Sequence, residues 1–219
     1  QCFASQVGRG LCTQDSIAAF NLFDDSDATP NGTGRRQQYG LNVSGGSDVV
    51  QYFLSGEWED ELGYLQMPLF SRDRVQAVRE TPALYEQLRP NALRKTSLRA
   101  NVTAQLSSKA DIFSSIGFIT SDQRLPQTDN NTVGLLSNAF GGLGKADNGR
   151  FGYRLYTPDT FFSNTNTQAI NRFVGSQQAN YRPTSWLLVN GTAGMDFTSR
   201  NDSELCRNGQ CTDFSARSR

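Results

Sequence analysis

Between Thr96 and Thr120 the chain alternates apolar and polar side chains in two runs separated by a short polar break. Leu98, Ala100, Val102, Ala104 and Leu106 are apolar, whereas Ser97, Arg99, Asn101, Thr103 and Gln105 are polar. A period of two is the signature of a strand whose two faces meet different surroundings. After Ser107-Ser108-Lys109 the chain returns through Asp111 to Thr120, so the segment is expected to form a hairpin with arms of about 10 residues, the length a tilted strand needs to cross a bilayer.

The same alternation predicts two further hairpins. Tyr39, Leu41 and Val43 alternate with Gly40, Asn42 and Ser44, then Gly45-Gly46-Ser47-Asp48 supplies a tight turn, glycine reaching positive φ without a Cβ clash. The return strand sets Val50, Tyr52, Leu54 and Trp58 against Gln51, Ser55, Glu57 and Glu59, with Phe53 out of pattern, giving a first hairpin over 38–60. The hairpin at 96–121 is the second. A third is expected over 169–199, with Phe173, Ala179 and Tyr181 on one side of its first arm and Leu187, Val189, Ala193, Met195 and Phe197 on one side of its second. Residues 1–37 and 201–219 read as loop, as do two long connections at 61–94 and 122–167; a short helix is expected at Val75–Glu80, bounded by prolines. Short breaks at 44–48, 107–109 and 182–185 alternate with the long connections. All short turns therefore fall at one end of the sheet and all long loops at the other, an asymmetry that outer-membrane barrels possess. The expected fold class is all-β: an antiparallel up-and-down meander of about six long strands, part of a transmembrane β-barrel, with long loops at one end.

Composition narrows the alternatives. Hydrophobic residues make up 37% of the 219 and the mean hydropathy is −0.52, a thin supply for a closed core but enough for a sheet wetted on one side. The 21 basic and 21 acidic residues cancel, so a nucleic-acid partner is not expected. Histidine is absent, which removes the commonest general base near neutral pH and the commonest zinc ligand. No cofactor, metal site or catalytic residue is assigned, and an enzyme is not expected. Four cysteines form two close pairs, Cys2 with Cys12 and Cys206 with Cys211; they read either as free thiols or as two local disulfides pinning exposed loops in an oxidising compartment. The N-terminal Gln1–Ser5 carries no charged leader before an apolar run, so an intact signal peptide is not expected there.

The passage Tyr39-Gly40-Leu41-Asn42-Val43-Ser44-Gly45-Gly46-Ser47-Asp48, followed by Gln51-Tyr52-Phe53-Leu54-Ser55-Gly56 and Glu61-Leu62-Gly63-Tyr64, resembles a barrel hairpin of SusC/RagA-type TonB-dependent outer-membrane receptors. Arg94-Lys95-Thr96-Ser97-Leu98-Arg99-Ala100-Asn101 is similar to the strand that follows it in that family, and Tyr181–Leu187 with Gly194-Met195-Asp196 is similar to a later hairpin. The resemblance spans most of 38–200. It implies import of a large nutrient, a glycan or peptide fragment, across the outer membrane. The implied partners are outer-membrane lipid, the remainder of the barrel and its plug domain, the TonB complex, a surface lipoprotein and the nutrient itself. Such barrels have roughly 22 strands; with about six strands and neither plug nor coupling segment, the chain is expected to be an internal piece of one. On this reading the loop aromatics Tyr64, Phe70, Tyr85, Tyr153, Tyr156, Phe161 and Phe162 offer faces on which sugar rings stack, the alternative being that they pack the loops together or form an interfacial girdle.

Other readings carry less. A soluble or surface-exposed β-rich binding or adhesion protein requires a second apolar layer that the composition scarcely offers. A glycosidase pair drawn from Glu57, Glu59, Asp60 and Glu61 competes with a solvated strand end. Gly141-Gly142-Leu143-Gly144 lacks the strand and helix of a phosphate loop. The Asn31, Asn101 and Asn190 sequons are expected by chance in a chain rich in Asn, Ser and Thr.

Overall fold

A computed structural model describes residues 2–13, 20–142 and 149–210. In chain order the elements are α1 (Ala4–Val7), β1 (Arg35–Gly46), β2 (Val50–Leu62), α2 (Leu69–Arg79), α3 (Tyr85–Leu88), β3 (Ala92–Ser107), β4 (Ala110–Arg124), α4 (Leu135–Phe140), α5 (Pro158–Phe161), β5 (Thr165–Thr184) and β6 (Leu187–Leu205). The six strands make one antiparallel meander in sequence order, so the expected fold class holds in its all-β, up-and-down part. The sheet is open: among the described residues β1 and β6 each pair with one neighbour only.

The first turn is set by backbone chemistry. Gly46 has φ +151°, and a Cβ there would lie 2.2 Å from the Val50 carbonyl oxygen, so only glycine fits. Ser47 closes the turn, its amide donating to the Val50 carbonyl at 2.6 Å and its Oγ accepting from the Val49 and Val50 amides. The other two turns, at 108–109 and 185–186, follow register irregularities at Gln105/Ser107 and Tyr181/Thr184.

Register fixes the two faces. One row runs Leu41, Gly56, Leu98, Phe118, Phe173, Phe197 across all six strands; another runs Val43, Leu54, Ala100, Ile116, Gly175, Met195. The intervening row, on the opposite face, is Asn42, Ser55, Arg99, Gly117, Val174, Asp196. The apolar sets that alternation defined strand by strand therefore align into one continuous surface. The three turns are not level. Gly46 lies in the row of Phe113, three positions short of the last pair of the second hairpin at Ala110; Ala110 pairs with Tyr181, three short of the last pair of the third hairpin at Thr184. At about 3.4 Å per residue and 4.8 Å between strands, the line of turns slants about 45° to the hydrogen-bonding direction.

The ladders overrun the expected hairpins, reaching 35–62, 92–124 and 165–205 instead of 38–60, 96–121 and 169–199. The added residues are mostly polar or charged on both faces, where apolar alternation has nothing to register. Arg35 and Arg94, both in these extensions, reach Asp60 at the end of the expected first hairpin, at 3.8 and 3.7 Å.

The hydrophobic core lies outside the sheet. Leu22, Ala28, Leu65, Met67, Phe70, Val75, Leu135, Ala139, Tyr153, Phe161 and Phe162 are buried, and all come from the N-terminal segment and the two long connections rather than from a strand. The helix in the first connection is longer than the expected 75–80. It starts directly after Pro68, whose ring tolerates a helix start, and buries Phe70 and Val75 against the core. Contacts between the connections hold this outer unit together: Ser71 Oγ donates to Asp159 at 3.0 Å, Arg74 to Thr157 at 3.0 Å and Arg79 to Ser163 at 2.7 Å. Burial pulls the Arg79 guanidinium below its ordinary pKa, against the opposing pull of Asp159.

Candidate functional site

Three surfaces are available for chemistry: the apolar face of the sheet, its polar face and the outer loop unit. The apolar face is exposed along its length. Leu41 is 73% accessible, Leu98 53%, Met195 65% and Phe197 68%. Among the described residues no second layer covers it. A polar pair within it is internally bonded, Ser114 Oγ donating to Gln177 Oε1 at 2.7 Å across β4 and β5. Aromatic residues flank it at both ends. Tyr39 stacks on Trp58 with centroids 5.9 Å apart at the loop end, and Tyr181 with the exposed Trp186 marks the turn end.

The polar face is cross-linked strand to strand. Arg36 Nε donates to Glu59 at 2.6 Å, Gln38 to Glu57, and Ser115 Oγ to Asn101 at 2.8 Å. Arg172 binds Asp196 through both arms of its guanidinium; Asn180 and Arg182 both donate to Asp111, at 2.7 and 2.9 Å. A shallow depression of about 900 Å³ opens on this face, lined by Gln38, Asn42, Phe53, Glu57, Arg99 and Arg172. Gly40 and Gly117 keep its floor low, since a Cβ at either position meets nothing closer than 3.8 Å. Phe53, the exception to the alternation, is one of its walls.

The four carboxylates weighed as a catalytic pair are separated by the pleat. Glu57 and Glu59 point to the polar face and are bound by Gln38 and Arg36, Glu61 lies 3.9 Å from Arg36, and Asp60 faces the other side between Arg35 and Arg94. No group of acidic or cysteine side chains able to hold a metal occurs among the described residues.

The loop aromatics divide by burial. Phe70, Tyr153, Phe161 and Phe162 are 7% accessible or less and lie against one another in the core: Phe161 meets Phe162 edge-on at 4.9 Å and Phe70 stacks on Phe151 at 4.4 Å. Tyr153 donates its hydroxyl to the Ala28 carbonyl at 2.9 Å, and burial raises its pKa well above the ordinary tyrosine value. Tyr156 is half-buried against the same core. Tyr64 and Tyr85, each 57% accessible, are the two rings of the set open to a ligand. The Tyr85 ring carries the Arg124 guanidinium at 5.7 Å.

Cys2 and Cys12 are joined by a disulfide across a ten-residue separation. No described cysteine is free; Cys211, the expected partner of Cys206, lies outside the described residues. Leu143 and Gly144 of the glycine-rich stretch also lie outside them.

Two features escaped sequence reasoning. The depression around Arg99 was hidden because its lining comes from five strands and its two glycines, Gly40 and Gly117, sit inside strands whose alternation gives them no role. A charged patch above the apolar face was hidden because Arg35, Asp60, Arg94, Asp122 and Arg124 share a face only through register; extending the period-two count beyond the apolar residues would have gathered them. No protein-family model matches this chain, and no curated protein matches it.

Proposed function

We propose that this chain is a run of six consecutive strands from a larger outer-membrane β-barrel, the wall of a TonB-dependent receptor that imports a large nutrient such as a glycan or peptide fragment. One observation carries the reading: all six strands contribute to a single exposed apolar belt, while the opposite face is tied by cross-strand polar bonds. In water such a belt would cost free energy in proportion to its area, and in lipid it is the required surface. The belt measures about 27 Å along β3 from Leu98 to Leu106 and about 34 Å along β6 from Leu187 to Phe197. At the roughly 45° slant of the turns these project to about 19–24 Å, close to the height of a lipid-facing barrel band.

Open edges support membership of a larger barrel, because unpaired backbone groups at β1 and β6 are not tolerated in hydrocarbon. The polar face then lines the lumen and the loop unit stands outside the cell, with Tyr64 and Tyr85 as the exposed rings available to a sugar. Transport, the plug, TonB coupling and a surface lipoprotein partner follow from the SusC/RagA resemblance. No helix among the described residues is long and apolar enough to span a bilayer.

The test uses the intact protein that carries this chain. Flotation with phosphatidylcholine vesicles, and nutrient uptake by cells that is lost when TonB is deleted, are the expected results. Recovery in the aqueous fraction without detergent would refute it. That outcome would favour a soluble or surface-exposed β-rich binding protein, whose supporting observation is the closed aromatic core of the loops.

A further inference from the structure

On the apolar side of the sheet, just above the Tyr39–Trp58 pair, the register brings together Arg35, Asp60, Arg94, Asp122 and Arg124. They line a cleft of about 500 Å³ whose far wall is Tyr85 of α3. Arg35 and Arg94 approach Asp60 from strands on either side, at 3.8 and 3.7 Å, so their guanidinium groups converge on one point. Among the described residues Arg124 stands beside them without a carboxylate. Its Nη2 donates to the Arg89 carbonyl at 3.3 Å, its plane lies over Tyr85, and its Nε has no acceptor. Glu61 also borders the cleft but its carboxylate is directed to Arg36 on the other face. Three cations and two carboxylates thus share this side, leaving one positive charge unbalanced where the apolar belt ends.

We propose that this cleft binds the phosphate headgroup of a lipid in the outward-facing leaflet, the acyl chains continuing down the belt past Trp58 and Leu98. The inference rests on the membrane reading above. Its chemistry is that of arginine and phosphate: planar guanidinium donors match phosphate oxygens, and long arginine stems reach from an apolar surface to the headgroup level. A lipid satisfies both halves of the site, the unbalanced charge and the adjoining hydrocarbon surface, whereas a free phosphate satisfies only the first. Asp122, opposite Arg94 in the ladder, opposes the anion and limits affinity.

The experiment is native mass spectrometry of the intact protein in detergent, with dioleoyl phosphatidic acid and dioleoylglycerol as probes that share tails and differ by the phosphate. The expected result is retention of phosphatidic acid at least tenfold above dioleoylglycerol, loss of that preference in R35Q/R94Q/R124Q, and a several-fold increase in Asp122→Asn, a variant that keeps every arginine. Equal retention of the two probes, or a preference unchanged in both variants, overturns the proposal. Full displacement by millimolar glycerol 3-phosphate also overturns it, since the site would then be one for a soluble phosphate. A protein that floats with phosphatidylcholine vesicles yet shows no headgroup preference refutes this inference alone; one that does not float refutes the membrane reading beneath it.

Discussion

Placing an arginine at Val102 and, separately, at Thr103 tests the two-faced sheet with a one-residue shift. Val102 is the middle of the β3 apolar run and is flanked by Tyr52 on β2 and Ser114 on β4; Thr103 is flanked by Gln51 and Phe113 on the opposite face. Leu98 and Leu106 lie four positions to either side of Val102, about 14 Å along the strand and roughly 10 Å in depth after the slant, which sets Val102 near the middle of the belt. An arginine at the midplane of a barrel's lipid face costs about 2–4 kcal/mol, which is about a 30- to 700-fold fall in the folding equilibrium. At Thr103 the new side chain enters a wet, polar surface and is expected to change stability by about 0.5 kcal/mol or less. Denaturant titration of the intact protein refolded into thin phospholipid vesicles, read by electrophoretic mobility of the folded barrel, measures both. Equal tolerance at the two positions would refute the assignment of faces, and with it the claim that the apolar rows meet hydrocarbon.

Three further outcomes are expected. Phe161→Ala removes a ring that is 2% accessible and should cost the loop core about 3–5 kcal/mol; hydrogen exchange should accelerate in 63–91, 125–142 and 149–164 while the strand ladders stay protected. Tyr153→Phe leaves the buried Ala28 carbonyl without its donor and should cost about 1–3 kcal/mol. Because burial raises the Tyr153 pKa in the folded core, the folded state holds a proton that the unfolded chain releases above about pH 10. Loop-core stability should therefore fall as pH rises beyond that value in the native protein and show a shallower fall in the phenylalanine variant, as read by proteolysis of the loops. Gly46→Ala forces a Cβ onto the Val50 carbonyl at positive φ and should destabilise the first hairpin by about 1–3 kcal/mol, against little change at Gly191, where a Cβ meets nothing within 4 Å.

How much of this was legible in the sequence depends on what each level of structure uses as a signal. The strands announced themselves because period two needs no partner to be visible: Leu98 to Leu106 would look the same beside any neighbour. Register was less accessible. It is set by where turns close. The first turn carries a glycine whose role can be read from its type, and the third carries Pro183, which marks the turn but not the register shift at Tyr181/Thr184; the irregularity at Gln105/Ser107 has no local mark. The strand extensions were lost for a related reason, since Arg35 and Arg94 pair with Asp60 across strands and look like loop when read along one. The loop core was visible only as the alternative in which the loop aromatics pack together, and its aliphatic members were not seen. Its residues come from three separate segments, and Leu22, Met67 and Phe161 are brought together from separations far beyond any periodicity. For the loop aromatics, the sequence offered ring identity but not burial, and burial distinguishes Tyr64 and Tyr85 from Phe70, Tyr153, Phe161 and Phe162.

The clasp between the two long connections has a mechanical consequence. One connection leaves the top of β2 and rejoins at β3; the other leaves β4 and rejoins at β5. The links from Ser71, Arg74 and Arg79 to Asp159, Thr157 and Ser163 therefore act as a buckle over the second hairpin, anchored on the strands at either side. Prising one connection outward would have to break these links together and open a shared aromatic interior, so the whole rim should swing or stay still as one plate. If the sheet is the barrel wall proposed above, an opening at this edge would accordingly be sought at the seams beyond β1 and β6 rather than within the plate.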